Sequence, residues 1–177
     1  QKTAYEIYQC EWSSDVCSSD LPGHATHHVS NFDRAARLAW VGDTVGVRFS
    51  DVLFSLPPTP PPDIDVEAWY DSLSTIRRWN PETLFVTHCG AYPQARAHLD
   101  QYEQSLRHTV ELARQVFDSG ESDEAKAARF VAEVERYVYG AVPRDQAGLF
   151  EAVAPIEFSW RGLARYWRKR AERSEEH

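Results

Sequence analysis

His24, His27 and His28 place three imidazoles within five residues, behind the Pro22-Gly23 turn and at the mouth of the apolar stretch that opens at Val29. Imidazole is a common ligand of zinc and related divalent metals, and a turn leading into a strand holds such a ring at a fixed point on a sheet edge. Two later stretches repeat the arrangement. Leu38-Ala39-Trp40-Val41 runs into Gly42-Asp43-Thr44, and Thr83-Leu84-Phe85-Val86-Thr87 runs into His88-Cys89-Gly90. Metal ligation is the chemistry these residues could do, and the candidate ligands are His24, Asp43 and His88.

The elements that must position them follow from local pattern. Residues 28–32 and 37–41 are predicted as strands, and 45–49 as a further extended segment. Leu56-Pro57-Pro58-Thr59-Pro60-Pro61-Pro62 sustains neither helix nor ladder and is a loop, either walling a pocket or simply linking two elements. Asp65 is a plausible N-cap for a helix reaching Trp79, with Val66, Trp69, Leu73 and Ile76 on its apolar face and Asn80-Pro81 as its stop. A strand over 83–87 completes a strand, helix, strand order typical of layered α/β folds, in which sites collect at one edge of the sheet. From Ala97 the chain turns helical: Leu99, Tyr102, Leu106, Val110, Ala113 and Phe117 share one stripe ended by Gly120. Asp123 can cap the next helix, whose face is Phe130, Val131, Val134, Tyr137 and Val138, and a further helix is predicted over 156–172.

Both ends read as something other than protein. Lys2 to Glu6, Ser13 to Leu21 and Arg173 to His177 back-translate into strings that resemble the two adapters flanking an insert in a sequencing library. Residues 1–21 and 173–177 are therefore expected to be non-native and to contribute no element, leaving 22–172 as an interior piece of a longer gene. Native genomic sequence running through codons 1 to 21 would refute this. The formal charge of -8 falls to about -4 on residues 22–172, too weak an imbalance for a general nucleic-acid footprint. Of the three cysteines, Cys10 and Cys17 lie in the excluded end, so Cys89 has no partner for a disulfide. No apolar run approaches the roughly 18–20 residues of a membrane span, and no signal peptide is recognisable. A cytoplasmic protein with neither a membrane nor nucleic acid as partner is expected.

In this order and spacing, Pro22-Gly23-His24-Ala25-Thr26-His27-His28, Val41-Gly42-Asp43-Thr44 and Val86-Thr87-His88-Cys89-Gly90 resemble motifs of the metallo-β-lactamase superfamily, the hydrolases that include the glyoxalase II type. The resemblance implies an α/β fold: residues 22–96 as the second half of an αββα sandwich, and 97–172 as a helical C-terminal region. It implies a dinuclear Zn2+ site in which His24 binds one metal, Asp43 bridges and His88 binds the second. Paired cations would generate hydroxide from a trapped water, which attacks an ester, thioester, lactone or similar bond of a small-molecule substrate. The superfamily's opening His-x-His-x-Asp-His segment is absent. Half of the ligands are then missing, so weak metal binding and little hydrolysis are expected of the chain as it stands. An iron-dependent sulfur dioxygenase on the same scaffold, or a binding module with a vestigial site, are the alternatives.

The remaining candidates divide by position. His28 suits a substrate contact or a bond supporting the metal ligands as well as it suits packing, and His27 should alternate to the other face. His98 and His108 read as solvated helix surface, and Cys89 as a small buried hydrophobe. Trp160, Leu163, Ala164, Trp167 and Ala171 form an apolar stripe that leaves Arg161, Arg165, Arg168 and Lys169 on the other side. That basic face is either simply solvated or recognises an anionic group.

Overall fold

The computed structural model describes residues 16–49, 52–87 and 89–175. One five-stranded sheet runs β1 (Val16–Asp20), β2 (Val29–Asp33), β3 (Leu38–Gly42), β4 (Thr83–Val86), β5 (Gly90–Pro93), with neighbours in that order. The β3/β4 pair is parallel and the other three are antiparallel, so α1 (Val66–Trp79) and the long loop before it form the crossover. Four helices follow: α2 (Ala95–Phe117), α3 (Asp123–Ala141), α4 (Arg144–Val153) and α5 (Ile156–Glu175).

Alternation fixes which side of the sheet is dry. Cys17, Phe32, Ala39, Leu84 and Tyr92 lie in register across the five strands and are all buried. They face Trp69, Leu73 and Ile76 of α1 and the inner stripe of α2 within one core. The adjacent row, Ser18, Asn31, Trp40, Phe85 and Ala91, points outward, and Val16, Val29, Trp40 and Phe85 on that side are exposed. The inner face is thus largely apolar, whereas the outer face mixes exposed apolar residues with Ser18, Asp20, Asn31 and Asp33.

α1 matches its expected limits: Asp65 accepts from the Ala68 amide at 3.0 Å, and Asn80 ends the helix in the left-handed conformation. Four expectations are corrected. The N-terminal segment is not devoid of structure, since Val16–Asp20 pairs residue for residue with β2 and buries Cys17; an edge strand needs only its backbone groups and an inward residue at every second position. Residues 173–175 continue α5 rather than standing outside it. Ser122, not Asp123, caps α3. Residues 45–49 contribute only a bridge from Val47 to Leu56. β5 and α4 have no counterpart among the predicted elements.

Among the described residues no helix is long and apolar enough to cross a membrane.

Candidate metal centre

Because β3 and β4 are parallel, their C-terminal ends meet at one edge of the sheet, and Gly42 pairs with Val86 there. Asp43 follows β3 directly. The turn that carries His24 reaches the same edge: the Leu21 amide donates to the His28 carbonyl at 2.8 Å, and Ser72 on α1 donates to the Pro22 carbonyl at 2.6 Å. His24 Nε2 consequently lies 3.8 Å from Asp43 Oδ2.

Hydrogen-bond partners settle which imidazole nitrogens are free. A carbonyl can only accept, so His24 donates Nδ1–H to the Pro58 carbonyl at 2.8 Å, and in the neutral ring the lone pair is then on Nε2, the nitrogen nearest Asp43. His28 donates Nε2–H to the Val41 carbonyl at 3.0 Å, leaving Nδ1 bare. The two rings meet edge-on at 6.2 Å, and Trp69 closes the other side of His24 at 5.8 Å. Gly42 makes the His28 position possible: its φ is +54°, and a Cβ there would fall 2.2 Å from the imidazole Cε1. Asp43 Oδ1 is buried with no hydrogen-bond partner. His24 Nε2 thus faces Asp43 Oδ2, while the other carboxylate oxygen, Oδ1, is the buried one without a partner, so a carboxylate and an imidazole that could each serve a cation stand side by side.

His24, Asp43 and His28 are therefore brought together, whereas His88 lies outside the described residues. Among those residues, no group of three or more His, Cys, Asp or Glu side chains is close enough to hold a metal. Cys89 is half-buried and packs against the core; burial pushes its thiol up and the Asp43 carboxylate pushes the same way, so it stays a thiol.

His98 is a correction. It is fully buried rather than solvated, donating Nε2–H to the Val45 carbonyl at 3.0 Å while Arg48 donates to Nδ1 at 3.3 Å, with the Arg48 guanidinium lying over the Tyr92 ring. Both nitrogens are committed as in a neutral imidazole, and desolvation, aided by the Arg48 charge, lowers the pKa from 6.5 to about 4. The unfolded chain then binds a proton that the folded chain refuses, so stability falls as pH drops below about 6.5 and goes on falling to about 4. Urea denaturation is expected to show about 2 kcal/mol lost between pH 7 and pH 5 that His98→Gln does not lose; equal pH slopes would contradict this. His108 is exposed as expected, with its ring 4.3 Å from that of Tyr137.

No protein-family model matches the sequence, and no curated protein does. Solved structures do. A metallo-β-lactamase superfamily protein of the archaeon Sulfolobus tokodaii aligns over 84% of this chain and 45% of its own, at 23% identity and a TM-score of 0.49. A metallo-β-lactamase family protein of Thermus thermophilus aligns over 88% of this chain and 44% of its own, at 12% identity and a TM-score of 0.59. This is a metallo-β-lactamase-like fold. The chain spans less than half the length of either protein. Only one sheet is present among the described residues.

Sequence reasoning missed the groups that orient the site rather than form it. The Pro58 carbonyl is a backbone atom 34 positions from His24, and no side-chain pattern announces it. Trp69 was legible only as a core residue, yet its indole also donates to the Thr44 carbonyl at 2.7 Å, tying α1 to the turn that carries Asp43.

Proposed function

We propose that the chain carries part of the centre of a metal-dependent hydrolase acting on a small molecule with an ester, thioester, lactone or similar bond. The observation that carries this reading is the approach of His24 Nε2 to Asp43 Oδ2 at the C-terminal edge of parallel strands, with the buried Oδ1 of the same carboxylate left without a partner. Zinc suits an imidazole and a carboxylate together, and His88 is the third ligand by sequence. A cation held there supplies Lewis acidity and draws a nucleophile from water. The chain's own residues do the rest: Pro58 holds the His24 ring in one tautomer, Gly42 leaves room for His28, and Trp69 keeps one wall of the site apolar.

Three ligands shared between two cations make a poor set, so binding should fall well short of the about 10–16 kcal/mol of a structural zinc site with a full ligand set. Calorimetric titration of the chelator-treated chain with zinc is expected to show weak binding that His24→Ala abolishes, and little hydrolysis of a thioester or lactone series. Tight binding of two zinc ions would overturn the expectation of a partial site; no binding at millimolar zinc, or binding indifferent to His24→Ala, would overturn the metal reading itself. A parallel titration with ferrous iron tests the metal's identity.

A further inference from the structure

We propose that the cleft between α3 and α5 binds a diphosphate group carried on a small anion. The cleft has a volume of about 230 Å³, and Lys126, Arg161, Arg165 and Arg168 line it against a single carboxylate, Asp123. Arg161, Arg165 and Arg168 stand at i, i+4 and i+7 on α5 and so form one ridge along the helix.

The opposite flank of the same helix shows what a merely solvated basic face looks like. There a cleft of about 260 Å³ sets Lys169, Arg170 and Arg173 against Asp63, Asp65 and Glu67, and Arg170 is salt-bridged to Glu67. Charge on that side is balanced; on the α3 side it is not. The imbalance is unusual in a chain with 27 acidic and 19 basic residues, where Arg37, Arg77, Arg107 and Arg129 each find a carboxylate. Arg161 pairs with Glu157 within the helix, while Arg165 and Arg168 pair with no carboxylate among the described residues.

Two further features suit phosphate. Lys126 Nζ donates to the Phe117 carbonyl at 2.8 Å, which fixes the ammonium at the cleft wall with donors to spare. The nearly buried Trp160 also lines the cleft, and its apolar surface lowers the local dielectric and strengthens every charge interaction above it. Arginine forks match phosphoryl oxygens two at a time. With Arg161 shared with Glu157, the excess of about two positive charges opposes the one full charge that each phosphoryl group of a diphosphate carries, and the volume, below the roughly 300–1,000 Å³ of pockets that enclose a drug-sized ligand, fits the charged group rather than a whole cofactor. The site does not depend on the metal centre.

The test is calorimetric titration of the chelator-treated full chain with inorganic pyrophosphate and with ADP at constant ionic strength. Binding of one equivalent is expected, and pyrophosphate matching ADP would show that the free group suffices. Arg165→Glu/Arg168→Glu is expected to weaken binding at least about tenfold, and the milder Arg165→Gln/Arg168→Gln by less, with unchanged thermal midpoints because both side chains are exposed. Lys169→Glu, on the balanced flank, should leave binding unchanged. Equal weakening by Lys169→Glu, no binding of either compound, or binding only of single-stranded oligonucleotides with affinity growing with length would overturn the proposal; the last would mark a nucleic-acid surface instead.

Discussion

Gly162→Ala is expected to destabilise the protein by about 3 kcal/mol or more, lowering the thermal midpoint by about 6–12 °C. The cause is a close approach of two backbones. A Cβ on Gly162 would fall 1.9 Å from the Thr59 carbonyl oxygen and 2.9 Å from the carbonyl carbons of Thr59 and Pro60. None of these atoms is the free end of a flexible side chain, so relief requires α5 and the proline-rich loop to separate. Separation would break the bonds that join them, from the Thr59 amide to Ser159 Oγ at 3.4 Å and from Thr59 Oγ1 to the Ser159 carbonyl at 3.2 Å, and would open a fully buried threonine to water. Gly148 in α4 is the control, since a Cβ there meets nothing within 4 Å. Gly148→Ala should be neutral or stabilising by up to about 1 kcal/mol, because alanine is the better helix former. Equal effects of the two substitutions in a thermal melt would rule out the backbone clash.

The same substitution should reach the proposed metal centre. Thr59 is next to Pro58, whose carbonyl orients His24. Pushing the loop off α5 therefore withdraws the acceptor that keeps Nδ1 protonated and Nε2 bare. Loss of such a supporting bond costs a metal site about 10–100-fold in affinity. The helical C-terminal region would in this sense support the proposed site.

What could be read from the sequence, and what could not, divides along the same line. The Pro-Gly-His and Gly-Asp stretches, the strands over β2, β3 and β4, and the capped α1 announce themselves because their signals are local: alternation, a side-chain cap, a proline stop. β5 is four residues that begin with Gly90 and end with Pro93, too short and too poor in β-formers to stand out, and it exists because β4 offers it a free edge. α4 buries only Ala147 and Phe150, so its periodicity is faint. His98 read as surface because a histidine on a long amphipathic helix is solvated by default; what buries it is Arg48 and Val45, some 50 positions upstream. Orienting bonds to backbone carbonyls, at Pro58 and Val41, leave no trace in residue types at all.

Asp43→Asn separates the structural and chemical roles of the site by giving them opposite signs. In the chain without metal, Asp43 places a carboxylate oxygen in the interior with no hydrogen-bond donor, an arrangement that costs about 1–3 kcal/mol wherever it is left uncompensated. Asparagine has nearly the same shape and no charge, and its amide can turn so that the less demanding atom faces inward. The metal-free Asp43→Asn protein is therefore expected to be more stable than the parent, by about 1 kcal/mol in urea denaturation, while its zinc affinity falls by at least about 100-fold. A residue kept only for packing would lose stability and leave zinc binding alone. Gain of stability with loss of binding is the signature of a group held in strain for a cation, and a stability loss in the metal-free protein would refute that role for Asp43.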